Sequence, residues 1–171
     1  MIRRQRGFSL IEVMVALIVM SIGLLGVAKM QAAALSNTAI ASTRSLAAIE
    51  ASSLAATMHA NRGYWSSPTV ATSITLQGGT VTPNVAPLAD CIGAPCTPAN
   101  LAQFDLQDWT NAAGQVLPPD YLATIACTPN DTPPNCTIQI QWAEKTVTVN
   151  KDGQTQSDGQ NLPIYELYVE P

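Results

Sequence analysis

The chain has 171 residues, of which 47% are apolar and only 12% are charged, so it fits one modest domain plus an accessory segment. Soluble proteins usually carry ~25% charged residues, and the low share here indicates that part of the chain lies outside water. The net charge is −4, and the three bases before residue 8 leave five bases against twelve acids, or −7, in the remainder. This acidity argues against nucleic acid as a partner, because a phosphate backbone requires clustered bases.

The N-terminal region joins a basic stretch to an apolar run. Arg3, Arg4 and Arg6 precede residues 8–28, and Glu12 is the only charged residue in that run of 21. A helix that rises ~1.5 Å per residue crosses the ~30 Å hydrocarbon core of a membrane over this length. The arginines place the short N-terminal tail in the cytoplasm and the residues after Lys29 on the far side.

Glu12 distinguishes this run from an ordinary membrane anchor. A carboxylate in a membrane helix costs roughly 2 to 3 kcal/mol and requires a partner. A cut between Gly7 and Phe8 creates that partner, because the new α-amine of Phe8 lies about one helical turn from Glu12 along the axis. A neighbouring helix shifted by that rise brings its amine to this carboxylate. A secretory signal cut near residues 32–34 is an alternative, but its apolar core should be only ~7 to 15 residues long.

The basic leader followed by Gly7, Phe8 and Glu12 resembles the class III signal of type IV prepilins and type II secretion pseudopilins. The resemblance implies an α+β pilin fold, in which a long, partly transmembrane N-terminal helix packs on a small antiparallel β-sheet head with local disulfides. It also implies that a prepilin peptidase cuts after Gly7 and N-methylates Phe8. Glu12 matches the residue that sets subunit assembly by neutralising a neighbour's amine. The expected segments are the leader 1–7, the helix 8–62 with its transmembrane and assembly part 8–28, and the periplasmic head 63–171.

Within this family the likeness is closest to minor pilins. It is carried by the stretches MVALIVMSIGLL at residues 14–25, MHANRG at 58–63 and CTIQIQWAE at 136–144. The partners that this implies are other minor pilins, the major pilin, a tip adhesin and inner-membrane assembly proteins. The implied location is the inner membrane before assembly and the pilus afterwards. The alternatives are a minor pseudopilin of type II secretion and a single-span periplasmic binding protein with no filament role.

The helix is predicted to continue past the membrane. Two neighbouring stripes of small and apolar residues run along the helix. One stripe could pack on a small sheet and the other on neighbouring helices, or both could simply belong to the core. The first stripe is Leu35, Ala39, Ser42, Leu46, Ile49 and Ser53, and the second is Ala47, Ala51, Leu54 and Met58. Asn61, Arg62 and Gly63 predict the end of the helix, with Gly63 in the left-handed conformation. Gly23 and Gly26 lie where pilin helices loosen inside the filament, and the family's usual proline is absent.

The head is predicted to contain one further helix and several strands. Residues 64–98 are rich in Thr, Ser, Gly and Pro, which predicts a loop region with one short strand near 70–76. Thr97 and Pro98 start a helix that ends before Pro118. Its apolar face is predicted to contain Leu101, Phe104, Trp109, Ala112 and Val116. Residues 121–127 and 137–145 predict a hairpin, and residues 163–170 predict another strand.

The chain carries four cysteines, Cys91, Cys96, Cys127 and Cys136, in its second half. An even number of cysteines behind an export signal indicates disulfides in an oxidising compartment. Three pairings exist, and the short loops favour Cys91 with Cys96 and Cys127 with Cys136. A zinc site is disfavoured because neither spacing is a short C-x2-C pair and the only histidine, His59, is distant in sequence.

No residue pattern indicates catalysis, which requires a nucleophile beside a base, a metal or a tuned carboxylate pair. His59 suits the end of a helix, where a cation meets the dipole favourably. Asp105 and Asp108 are one helical turn apart, but on a polar helix face they are predicted to be a solvated patch and not a catalytic pair. Residues 151–161 could form a calcium loop, but they lack the EF-hand spacing and are better explained as turns. Trp65, Trp109 and Trp142 are too scattered for a stacking platform. The sequence therefore predicts a protein that is not an enzyme and needs no cofactor or metal.

Overall fold

The computed structural model describes residues 7–144 and 162–171. The helices are α1 (Leu10–Ala60), α2 (Arg62–Trp65) and α3 (Pro98–Val116). The strands are β1 (Ser73–Gln77), β2 (Thr80–Thr82), β3 (Leu122–Thr128), β4 (Asn135–Gln141) and β5 (Ile164–Val169). The strands form one sheet in the order β2-β1-β3-β4-β5, and every neighbouring pair is antiparallel. The predicted long helix on a small antiparallel sheet is confirmed.

Helix α1 has 51 residues and is therefore ~77 Å long at ~1.5 Å per residue. It buries side chains only in its last four turns, at Ala47, Ala51, Leu54, Ala55 and Met58. The second predicted stripe is thus the face that packs on the head. Most of the first stripe lies on the outside of α1, where Leu35 and Ile49 are 72% and 61% exposed, but Leu46 is partly buried against the core.

The end of α1 differs from the prediction. The helix ends at Ala60, and Asn61 leaves helical geometry with φ −117° and ψ 55°. Gly63 is not left-handed, because the chain turns directly into α2 and buries Tyr64 and Trp65. A Cβ at Gly63 would meet the Pro98 ring at 3.2 Å, so the close approach of the α3 start favours glycine there.

The left-handed glycines of the described chain are Gly78 and Gly79, with φ of 54° and 78°. They form the two-residue turn of the β1–β2 hairpin, in which Gln77 pairs with Thr80. The predicted strand near residues 70–76 is β1, which begins later, at Ser73. β2 was missed, because three residues are too few to show an alternating pattern.

Helix α3 begins as predicted. The Thr97 hydroxyl accepts a hydrogen bond from the backbone N–H of Asn100 at 3.3 Å, and Pro98 occupies the first turn. The predicted apolar face is partly wrong, because Ala112 and Val116 are exposed. The residues that α3 buries are Ala102, Gln103, Leu106, Trp109, Thr110 and Ala113.

The predicted hairpin is formed by β3 and β4, with Cys127 directly opposite Cys136. β4 begins at Asn135 and ends at Gln141, whereas the prediction placed it at residues 137–145. β5 confirms the strand predicted at residues 163–170. Both favoured disulfides, Cys91–Cys96 and Cys127–Cys136, are present. Lys145 and the possible calcium loop at 151–161 lie outside the described residues.

The core lies between the sheet and the two long helices, which cover the same face. Helix α1 packs on β4 and β5, and α3 packs on β1 and β2. The sheet residues that are fully buried beneath them are Ile74, Leu76, Ala123, Ile125, Ile138 and Ile140. The tryptophans Trp65, Trp109 and Trp142 are all buried, so none is available for stacking with a ligand.

Candidate functional site

The predicted processing segment lies at the start of α1. Ser9 is extended, with φ −76° and ψ 140°, and the helix begins at Leu10 rather than at Phe8. The Ser9 carbonyl accepts hydrogen bonds from the backbone N–H groups of Glu12 and Val13 at 3.1 and 3.3 Å. The Ser9 hydroxyl makes no capping hydrogen bond, so nothing extends the helix back to the Gly7–Phe8 junction.

Phe8 and Glu12 lie on one surface of this helix start, together with Val13, Ala16 and Leu17. The Phe8 side chain is 83% exposed. Within residues 7–144 and 162–171, the Glu12 carboxylate has no ion-pair partner. The next base along the helix, Lys29, is seventeen positions away, or ~25 Å at ~1.5 Å per residue. A counter-charge for Glu12 must therefore come from outside this helix.

The first half of α1 is an apolar rod that contacts no other part of the described chain. It is the one helix in that part long and apolar enough to cross a membrane, and its most apolar stretch is wholly unburied. The core helix of a soluble protein would be mostly buried, so length, composition and exposure together fit a membrane anchor. The Ser21 hydroxyl donates to the Leu17 carbonyl at 2.7 Å, which satisfies it without water.

The exposed large side chains of this rod have no packing partner in a single chain. They are Phe8, Leu10, Ile11, Val13, Met14, Val15, Leu17, Ile18, Val19, Met20, Ile22, Leu24, Leu25, Val27 and Met30. Gly23 and Gly26 also face open space, since a Cβ added to either meets no atom within 4 Å. Contiguous apolar surface of this size requires lipid or neighbouring subunits.

An ion pair joins α1 to the head at the point where the helix enters it. Arg44 donates to both carboxylate oxygens of Glu144, at 2.8 and 2.9 Å. These hydrogen bonds hold the pKa of Glu144 below its usual value. This pair was not predicted from the sequence, because its residues are separated by one hundred positions.

The other chemically interesting residues are not brought together into an active site. His59 lies exposed in the last turn of α1, as expected for a helix-end base. Asp108 is exposed, but Asp105 is half-buried, and burial followed by the charge of Asp108 raises the pKa of Asp105. Across residues 7–144 and 162–171, no three potential metal ligands cluster, and all four cysteines are paired.

One comparison with known proteins gives a match. The family profile described as the prokaryotic N-terminal methylation motif matches residues 2–28. That range contains Gly7, Phe8, Glu12 and every exposed large side chain of the rod except Met30. No curated protein and no solved structure matches this chain. The match covers the N-terminal segment alone, and it supports a type IV pilin-like protein whose apolar helix fits anchoring in the inner membrane.

Proposed function

We propose that this protein is a minor type IV pilin. The observation that carries the proposal is the position of Glu12, four residues after Phe8 on an apolar rod that nothing in the described chain covers. A methylation motif at the same residues supports the same conclusion. Motifs of this type mark structural subunits, and the proposal assigns this protein no enzymatic activity.

The proposed mechanism begins with removal of the leader 1–7. A prepilin peptidase cuts after Gly7 and methylates the new amine of Phe8. The helix 8–62 then anchors the subunit through residues 8–28, while the head 63–171 lies in the periplasm. When the subunit leaves the membrane for the filament, Glu12 pairs with the Phe8 amine of an adjacent subunit, so one buried charge is compensated by another.

The finer assignment is to the minor pilin class known as type IV pilus modification protein V, PilV. It is supported by the stretches at residues 14–25, 58–63 and 136–144, the last of which includes most of β4. In this role the subunit joins other minor pilins and a tip adhesin to prime the pilus. The major pilin and the inner-membrane assembly proteins are the remaining partners.

The test replaces Glu12 with glutamine in the producing cell and measures incorporation into sheared filaments. Glu12→Gln keeps the size of the side chain but removes the charge, so we expect incorporation to be strongly reduced while the amount in the membrane is unchanged. Glu12→Asp retains the carboxylate and should incorporate better than Glu12→Gln. Incorporation of Glu12→Gln at the wild-type level would falsify the electrostatic mechanism. Co-purification with secretion components instead of pilus components would assign the chain to the pseudopilins.

A further inference from the structure

The head carries an open cleft on the side of α3 that faces away from α1. One wall is the segment at residues 88–90, and the other is formed by Phe104, Gln107, Asp108 and Asn111 of α3. Its volume is about 430 Å³, within the ~300–1,000 Å³ typical of ligand pockets. Most of its surface is apolar, and its lining includes Leu88, Ala89 and Phe104 together with the acids Asp90 and Asp108.

The wall at residues 88–90 is held in place by hydrogen bonds from α3. The side chain of Asn100 donates to the Pro87 carbonyl at 2.8 Å, and the buried Gln103 accepts from the backbone N–H of Val85 at 2.8 Å. The Cys91–Cys96 disulfide then ties the end of the segment to the start of α3. A cleft whose walls are fixed before binding loses little conformational entropy when it is filled.

Large apolar side chains remain exposed on the cleft wall and in the loop that follows it. Leu88 is 66% exposed and Ile92, inside the disulfide loop, is 86% exposed. Exposed apolar groups on a rigid loop next to a groove are typical of a contact surface for another protein rather than for a small molecule alone. The apolar surface therefore extends beyond the volume of the cleft itself.

The charge of the head determines which partner fits. The described residues after Arg62 contain no lysine, arginine or histidine, but they contain eight acids: Asp90, Asp105, Asp108, Asp120, Asp131, Glu144, Glu166 and Glu170. Asp90 and Asp108 therefore have no basic neighbour on the described head to neutralise them. A partner with bases beside apolar side chains complements both the acidic and the apolar lining of the cleft, whereas an anionic partner is repelled.

We infer that this cleft binds a protein segment in which arginine or lysine alternates with apolar residues. The apolar side chains occupy the space between Leu88 and Phe104, and the bases pair with Asp90 and Asp108. This inference goes beyond the proposed function, because it does not require the subunit to enter a filament. Its failure in the binding experiment would leave the Glu12 mechanism untouched.

The experiment measures binding of fluorescent synthetic peptides to the full-length protein in a neutral detergent, with empty micelles subtracted. One peptide alternates arginine with leucine, a second arginine with serine, and a third glutamate with leucine. We expect only the arginine–leucine peptide to bind well, and we expect added salt to weaken it. Asp108→Lys should weaken it roughly tenfold or more, and Leu88→Ser should also weaken it.

The matched control is Asp131→Lys, which makes the same charge change on an exposed residue between β3 and β4. It should leave the affinity within about twofold of wild type, as expected for a charge outside the contact surface. Equal losses in Asp108→Lys and Asp131→Lys would show general attraction to an acidic surface and overturn the inference. Equal binding of the arginine–serine peptide, or no binding of any peptide, would overturn it as well.

Discussion

Arg44 and Glu144 form the ion pair that fastens the head to α1. The guanidinium donates two hydrogen bonds to the carboxylate, and Glu144 is much less exposed than Arg44. The pKa of Glu144 is therefore lower than its ordinary value of 4.5. Because the folded-state pKa is depressed, the pair stabilises the fold above the ordinary pKa, and this contribution is lost as the pH falls through the folded-state pKa.

We therefore predict that Glu144→Gln lowers the thermal midpoint at neutral pH and that its difference from wild type shrinks as the pH is lowered below 4.5. Circular dichroism in neutral detergent across this range measures both midpoints. Glu166→Gln is the control, because Glu166 accepts a hydrogen bond from Gln139 and has no arginine partner among the described residues. If the thermal midpoint of Glu144→Gln differs from that of wild type by the same amount at all pH values, the stabilising role of the ion pair is contradicted.

Tyr121 and Thr110 form a buried polar contact beneath α3. The Tyr121 hydroxyl donates to the Thr110 carbonyl at 2.9 Å and lies 2.8 Å from the Thr110 hydroxyl. Tyr121→Phe leaves the Thr110 groups without this partner, so we expect a loss of ~1 to 3 kcal/mol in the free energy of unfolding. Denaturant unfolding monitored by tryptophan fluorescence measures it. Tyr168→Phe, on an exposed side chain, should cost less than ~0.5 kcal/mol.

At the scale of elements, the two disulfides differ in their surroundings. Cys127 and Cys136 are 6% and 1% exposed and join β3 to β4 near their connecting loop, whereas Cys91 and Cys96 are half-buried in a surface loop. Closure of each short loop contributes roughly 2 to 3 kcal/mol in the chain-entropy model. Replacement of Cys127 and Cys136 also removes core contacts that Cys91 and Cys96 do not make.

We predict that Cys127→Ala with Cys136→Ala lowers the free energy of unfolding more than Cys91→Ala with Cys96→Ala does. Urea unfolding of the three proteins under non-reducing conditions gives the comparison. Cys91→Ala with Cys96→Ala should also weaken peptide binding at the α3 cleft, because this disulfide follows the cleft wall at residues 88–90 directly. The other double variant should weaken peptide binding less. Equal stability losses for both double variants would contradict the assigned difference in burial.

Elements with strong local signals were predictable from the sequence. The Thr97–Pro98 start of α3 and the cysteine-flanked β3–β4 hairpin follow from capping and alternation, and both are confirmed. The predicted left-handed Gly63 is wrong, because burial of Tyr64 and Trp65 favours a second helical turn over a local stop. The buried Gln103 was missed, since its partners at Val85 and Asn84 lie across a loop that carries no periodic pattern.

At the scale of the whole molecule, the chain divides into a packed head and an uncovered apolar rod. The rod could be predicted because the sequence contains a 21-residue apolar run that has one acid and follows three arginines. The contact between the head and the second half of α1 could not be predicted, because the Arg44–Glu144 pair depends on how the sheet lies on α1. This division fits the proposed subunit, which is anchored in a membrane before it packs among neighbours.

The most direct test of the account is the mass of the N-terminal peptide of the protein purified from its native membrane. We predict a chain that begins at Phe8 and carries one methyl group on its amine. A chain that still contains residues 1–7, or one that begins at Leu35 after a cut by signal peptidase, would contradict it.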